Sequence, residues 1–422
     1  MPGSLVGGSL KAEGVLAQRK QNSDRADTTI TGAPRILKTL LYDEATAGKL
    51  IVLFAVLALI FVNSPFRDIF NDFWHVNIQL GLGDISISQD IRHWVNEALM
   101  AFFFLVVGLE IKRELVSGEL RDPRKAALPI AAAVGGMIFP AIIYLVFNLN
   151  PETVQGWGIP IATDIAFAVA VLSLLGRRVP LSLKVFLLTL AIVDDIGAIT
   201  VIALFYAEII NYWFLLASAG IVATLLLLRK WLSGKLLIFC IIGVVLWITT
   251  HLSGIHASIV GAILGLLAST SALPGLNSNN KRLEVISLPI STFVALPIFA
   301  LANAGVVFTL AVFDQSYAFS VSAGIVAGLI IGKFVGISLA AWLMVRFGIA
   351  KLPDDVNWRQ IIGVSFIAGI GFTVSIFITE LAFADQPELA HLAKLSIFVA
   401  SAVAALIGGT LLSIAATKKP LG

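Results

Sequence analysis

Twelve apolar stretches of near membrane-spanning length follow one another along this 422-residue chain, near residues 46–63, 91–111, 126–147, 158–175, 181–206, 212–228, 235–252, 255–270, 288–311, 321–345, 359–382 and 392–416. About twenty apolar residues make a helix that crosses the ~30 Å hydrocarbon core of a bilayer. Inside that core each backbone N–H and C=O must find its partner within the segment, which leaves helices and closed barrels as the only spanning structures. The chain is therefore read as an all-α polytopic membrane protein with about twelve transmembrane helices. Composition agrees: 13% of residues are charged and 58% are hydrophobic, where a soluble domain carries about a quarter charged residues. The single cysteine, Cys240, lies inside an apolar run and excludes an internal disulfide.

The polar segments between the runs carry the orientation. Loops after even-numbered spans hold Arg121, Arg124 and Lys125, then Arg177 and Arg178, Arg229 and Lys230, Lys281 and Arg282, and Arg346 and Lys351; those after odd-numbered spans hold almost none, Arg67 excepted. Arg35, Lys38, Lys418 and Lys419 add positive charge to the two tails. Positive charge is retained on the cytoplasmic side, so both termini are expected there. Residues 1–38 are polar and Gly/Ser-rich with no apolar core of signal-peptide kind, and read as a disordered cytoplasmic tail; 39–416 form the twelve-helix domain and 417–422 a short cytoplasmic tail. The first outer loop, "HVNIQLGLGDISIS", alternates apolar and polar residues on both sides of "GLGD", which predicts a periplasmic β-hairpin within 74–88. Two strands alone are marginal in water, so a second copy of the chain is the expected partner, as a homodimer.

Five charges stand well inside the spans, away from their ends: Glu97, Asp164, Asp194, Asp195 and Lys333. Each costs about 2.5–3.5 kcal/mol at the centre of an inserted helix, and such residues mark ion or proton pathways by default. Structural pairing alone accounts for one such residue more readily than for five, four of them acidic. Asp194 and Asp195 are neighbours in "LAIVDDIGAI". Adjacent side chains on a helix point about 100° apart, so one carboxylate is expected to meet a partner on another helix while the other lines a cavity. Lys333, in "GLIIGKFVGIS", is the natural partner. Carboxylates, hydroxyls and water make an oxygen-rich site suited to a hard cation such as Na⁺ or Li⁺, held by Asp194 and Asp195, and unsuited to a soft metal. No cofactor, catalytic residue or nucleic-acid partner is expected. The short signatures "YD" (Tyr42-Asp43) and "GLGD" (Asp84) also occur in intramembrane aspartyl proteases. The topology puts these two aspartates on opposite sides of the membrane, whereas a catalytic pair must share a proton at close range.

Two spans carry breakers. The fourth, "GWGIPIATDIAFAVAVLSLLG", has Pro160 at its start and the polar insertion Thr163-Asp164; the eleventh, "FIAGIGFTVSIFITE", has Gly369 and Gly371 in its middle. Segments interrupted at corresponding places in two groups of three spans (three to five, ten to twelve) point to a binding site where they cross. Half-helix ends there leave partial charges, positive at N-termini and negative at C-termini, which Asp164 and Lys333 are placed to offset.

With "AIVDDIGAI", "GWGIPIATDIAFAVAVLSLLG", "FLVVGLEIKREL", "LSGIHASIVG", "KRLE", "LPIFALANAGV", "LIIGKFVGISL" and "GIGFTVSIFI" the chain resembles the NhaA family of bacterial sodium/proton antiporters over roughly residues 40–416. That family is itself a type example of inverted-topology repeats with two crossed, interrupted helices, and the resemblance implies that fold. It implies an electrogenic Na⁺(Li⁺)/H⁺ antiporter of the bacterial cell inner membrane, pH-regulated and dimerised through a periplasmic hairpin. The alternative on a similar scaffold is a proton-coupled symporter of a small organic solute. By resemblance Asp194 and Asp195 match the ion- and proton-binding pair, Thr163 and Asp164 the interrupted-helix residues, and Lys333 the lysine facing them. Glu110, Arg113, Glu114, His256, Lys281 and Glu284 match positions tied to pH control on the cytoplasmic side. This chain has Glu97 in "WVNEALMAFFF" where the family usually has aspartate, and "KRLEVISLP" lacks the histidines that often follow that motif.

Overall fold

The computed structural model describes residues 44–82, 85–176, 179–207, 210–268, 279–307 and 317–416. The two expected tails and the Arg177-Arg178 loop lie outside these residues. The chain is mainly helical. It opens with α1 (Glu44–Val62) and α2 (Arg67–Trp74), followed by the strands β1 (Asn77–Leu82) and β2 (Ile85–Asp90). Then come α3 (Ile91–Ser117) and α4 (Pro123–Phe147). A 3₁₀ segment (Val154–Ile161) precedes α5 (Ile165–Leu175), and α6 (Leu181–Phe205), α7 (Tyr212–Leu228), α8 (Leu236–Leu252) and α9 (Ile259–Leu267) follow. α10 runs from Asn279 to Asn303 and α11 is Ala318–Arg346. α12 (Trp358–Ile367), α13 (Phe372–Ala382) and α14 (Pro387–Ala416) complete the described chain.

Among the described residues, seven helices are long and apolar enough to cross a membrane, or up to nine if each of two bent pairs is one span. One pair is α12 with α13, bent by 45° where the sequence places Gly369 and Gly371. The other is α1 with α2, bent by 118°. α2 was not expected: its pattern is eight residues long and interleaves Arg67, Asp68, Asn71 and Asp72 with Ile69, Phe70, Phe73 and Trp74, which reads as loop until the fold buries Trp74. α7 and α8 have 17 residues each. α9 has only nine, because residues 255–258 form a turn in place of the first helical turn expected of the eighth span. α10 starts earlier than the expected ninth span and ends at Asn303, short of the expected 311.

The hairpin is present, shifted by two to three residues from 74–88. β1 and β2 pair antiparallel from Asn77 opposite Asp90 to Leu82 opposite Ile85. Its base is closed by His75 Nδ1 and Asp90 Oδ2 at 3.1 Å, and the Trp94 indole donates to the Ile78 carbonyl at 3.3 Å.

The fold is apolar inside and out. Phe299, Phe377, Leu183 and Ile337 are among the buried core, while Leu227 (83% exposed), Leu237 and Leu216 stand on the outer faces of α7 and α8. Water does not tolerate such a surface, and lipid chains do. Packing between helices uses small residues. A methyl group added at Gly336 of α11 would collide with the Gly135 carbonyl of α4, and one at Gly332 would stand 2.7 Å from Pro140 Cα. A π turn at Gly328–Gly332 immediately precedes Lys333, and another at Val95–Leu99 carries Glu97. Single π turns of this kind insert one residue and re-aim the side chains after them.

Candidate ion site at the crossing of two broken helices

The fourth span is helical up to Ile161, extended over residues 162–164, and helical again from Ile165. The eleventh breaks over residues 368–371. The break in the fourth therefore falls at Thr163 and Asp164, after Pro160 rather than on it. The two breaks meet: the Asp164 amide donates to the Ile370 carbonyl at 2.7 Å, and the Ser375 hydroxyl donates to the Ile159 carbonyl at 2.7 Å.

Asp164 holds both helix starts. Its Oδ1 accepts from the Phe167 amide of α5 at 3.1 Å, while Oδ2 accepts from the Thr373 amide at 2.9 Å and the Thr373 hydroxyl at 2.6 Å. One buried carboxylate thus caps the N-termini of α5 and α13 together. Lys333 faces the opposite pole. Its ammonium donates to the Ile161 carbonyl at 2.6 Å, at the C-terminal end of the 3₁₀ half of the span, to Thr163 Oγ1 at 3.0 Å, and to Asp194 Oδ2. An ammonium has three N–H bonds, so all three are committed.

Asp194 and Asp195 sit on the unbroken α6, at 0% and 2% exposure. Asp194 Oδ2 also takes a hydrogen bond from the Thr163 hydroxyl at 2.6 Å. That hydroxyl has one hydrogen and a second acceptor in reach, the Ala368 carbonyl at 2.8 Å. Among the described residues, Asp194 Oδ1 and Asp195 Oδ2 are buried oxygens without a hydrogen-bond partner. Buried polar atoms are nearly always satisfied, and an orphan oxygen in a site of this kind has room for a proton or a cation.

The residues expected at the cytoplasmic mouth divide. Arg113 donates to Glu284 at 2.9 Å and lies 3.9 Å from Glu110, one turn earlier on α3. Glu114 accepts from the Glu119 amide at 2.9 Å and lines a cleft of about 700 Å³. A neighbouring cleft of about 870 Å³ shares Glu119, Lys125, Val185 and Thr189 with it. Thr189 lies on α6 about 7–8 Å along the axis from Asp194. The side chain of Lys281 lies outside the described residues. His256 is elsewhere: its Nδ1 is 3.0 Å from Glu97 Oε1, thirteen residues and about 20 Å along α3 from Glu110. The reason is the late start of α9, which leaves His256 in the turn against Glu97.

Three features escaped sequence reading. Thr373 holds Asp164, and its only signal was a hydroxyl just after the Gly369/Gly371 break. Asn96 and Asn303 form a reciprocal buried amide pair, with 2.7 Å from Asn303 Nδ2 to Asn96 Oδ1. Lys394 of α14 is buried in an ion pair with Glu380 of α13.

Spanning helices, buried carboxylates and a lysine at a helix crossing define a polytopic membrane protein with a charged site inside the membrane. The chain belongs to the family described as Na+/H+ antiporter 1, whose pattern matches residues 38–412. It is 44% identical over 384 residues to the Na(+)/H(+) antiporter NhaA 2 of Clostridium beijerinckii, covering 89% of this chain and 94% of that protein. It is 43% identical over 376 residues to the Na(+)/H(+) antiporter NhaA of Shewanella frigidimarina, covering 89% and 95%. Against the Na(+)/H(+) antiporter NhaA of Escherichia coli it is 46% identical over 368 residues, covering 86% and 94%. The fold also matches the sodium proton antiporter MjNhaP1 from Methanocaldococcus jannaschii, with TM-score 0.52, 13% identity, and 91% and 97% coverage.

Proposed function

We propose that this chain exchanges Na⁺ or Li⁺ for protons at Asp194 and Asp195, as an electrogenic, pH-regulated antiporter of the bacterial inner membrane. The observation that carries this reading is the pair of partnerless buried carboxylate oxygens beside a lysine whose three N–H bonds are all committed. A cation arriving at Asp194 competes with Lys333 for Oδ2. As Oδ2 is taken, the Thr163 hydroxyl can turn its hydrogen to the Ala368 carbonyl and offer its own oxygen to the cation. A proton on Asp195 and a sodium ion beside it require the same oxygens, so the two exclude each other. Two protons exchanged for one Na⁺ move net charge, and the membrane potential drives the cycle.

The finer architecture belongs to the same reading: twelve crossings, two inverted repeats, both termini in the cytoplasm, and a dimer through an outer hairpin. In support, residues 117–125, 181–189 and 348–353 share the two neighbouring clefts at one end, as alternate crossings require. Glu110, Arg113, Glu114, Lys281 and Glu284 lie toward that end and set the pH at which transport begins. The relatives are antiporters by name, and the symport alternative is set aside. The test is exchange in proteoliposomes carrying a pH dye, with each cation added outside. Wild type should release protons on Na⁺ addition, and Asp195→Asn should abolish this. Sodium-dependent proton release retained by Asp195→Asn would falsify the competition.

A further inference from the structure

Glu97 is buried near the end of α3 opposite the clefts and touches no part of the ion site, yet a continuous set of hydrogen bonds leads from it to both elements that build that site. Its Oε2 accepts from the Ala257 amide at 2.6 Å and the Ser258 amide at 3.2 Å, so it holds the turn that leads into the short α9 from another helix. Its Oε1 meets His256 Nδ1 at 3.0 Å, and His256 Nε2 meets the Tyr206 carbonyl at 2.8 Å. Tyr206 terminates α6, the helix of Asp194 and Asp195. The Tyr206 hydroxyl donates to the Gln155 carbonyl at 2.6 Å and accepts from the Gly158 amide at 3.2 Å. Both belong to the 3₁₀ half of the broken fourth span, whose last carbonyl, Ile161, receives Lys333.

The chemistry of the ring defines this chain of contacts. A carbonyl oxygen only accepts, so Nε2 carries a hydrogen. A second hydrogen must lie between Nδ1 and the Glu97 carboxyl, because a bare lone pair facing a bare carboxylate repels. What is required of position 97 is a group that satisfies Nδ1 on one side and accepts two amides on the other.

We infer that Glu97 is a positioning residue: through His256 and Tyr206 it clamps the C-terminal end of α6 to the 3₁₀ half of the broken fourth span, and fixes the frame in which Asp194, Thr163 and Lys333 meet. The inference rests on the transport reading for its consequence and stands on the hydrogen bonds for its geometry. Glu97 itself exchanges no ion in this account. A glutamine meets both requirements, its amide donating to Nδ1 and its carbonyl accepting from Ala257 and Ser258, whereas leucine meets neither.

The experiment uses the full chain in proteoliposomes and, in parallel, amide hydrogen exchange of the same proteins. Glu97→Leu and Tyr206→Phe are each expected to lower turnover per folded molecule severalfold while leaving the apparent Na⁺ affinity within about twofold. The double variant should match the worse single variant, since both cut one chain of contacts. Glu97→Gln should restore most of what Glu97→Leu loses. Amides in 154–161 should exchange faster in Glu97→Leu, although Glu97 touches none of them; a purely local cap would loosen only 257–259. Three results overturn the clamp: multiplicative effects in the double variant, Glu97→Gln as defective as Glu97→Leu, or unchanged exchange at 154–161. A wild-type chain that exchanges no ions would instead sink the transport reading. The hydrogen-exchange arm still decides the clamp in that case.

Discussion

At the scale of single residues, the site divides between a charge that holds the backbone and two carboxylates that each keep a buried oxygen without a hydrogen-bond partner. Asp164 spends both oxygens on helix starts, which leaves it little to offer a cation. Asp164→Ala should therefore weaken exchange without abolishing it, and should cost about 1–2 kcal/mol of stability for each helix start left uncapped. Calorimetry that found cation binding lost outright would make Asp164 a direct ligand. On the proposed exchange, the Lys333–Asp194 pair would make the lysine the carrier of the second proton. In Lys333→Gln, exchange should then no longer respond to an imposed membrane potential. Exchange that stays voltage-driven in that variant would assign the second proton to Asp194. These residues were legible in the sequence because a charge inside an apolar run is visible in one dimension. Lys333 was legible as the partner of the aspartate pair as well; the backbone partners were not. The Ile161, Ala368 and Ile370 carbonyls belong to the backbone of every residue alike, and only the two breaks make them available.

At the scale of elements, boundaries followed periodicity closely in α4, α6 and α7, and slipped in α9 and α10. α9 begins late, after a turn whose Ala257 and Ser258 amides are held by Glu97 of α3, and Trp74 of α2 finds a buried seat that its short pattern could not announce. The mouth cluster is an inter-element contact of the same kind. Arg113 of α3 holds Glu284 of α10, and Glu114 holds the start of the turn that follows α3. Both side chains of the Arg113–Glu284 pair are partly exposed, so the pair adds little to stability, of the order of 1 kcal/mol or less. Its neutralisation should show in regulation. Glu284→Gln and Arg113→Gln are each expected to displace the activity profile along the pH axis with maximal rate largely intact. Profiles that stay in place for both would move the regulation to the aspartate pair itself.

At the scale of the whole molecule, the hairpin stands apart from the ion site and pairs its two strands only with each other among the described residues. Removal of residues 76–88 should give a monomer that still exchanges ions, and light scattering that reports an intact dimer would refute the hairpin interface. How closely the helices touch differs from seam to seam. α4 and α11 meet backbone to backbone at Gly135 and Gly336, with Gly332 seated on Pro140. Between α4 and α6 the close approach at Gly197 is filled by the Met137 thioether, an unbranched, polarisable side chain that re-packs readily. The first seam leaves no side chain to rearrange between its backbones, and the second holds one that re-packs readily. Lys333 is thus seated on the tight seam with α4, and Asp194 and Asp195 stand on the helix whose contact with α4 is adjustable.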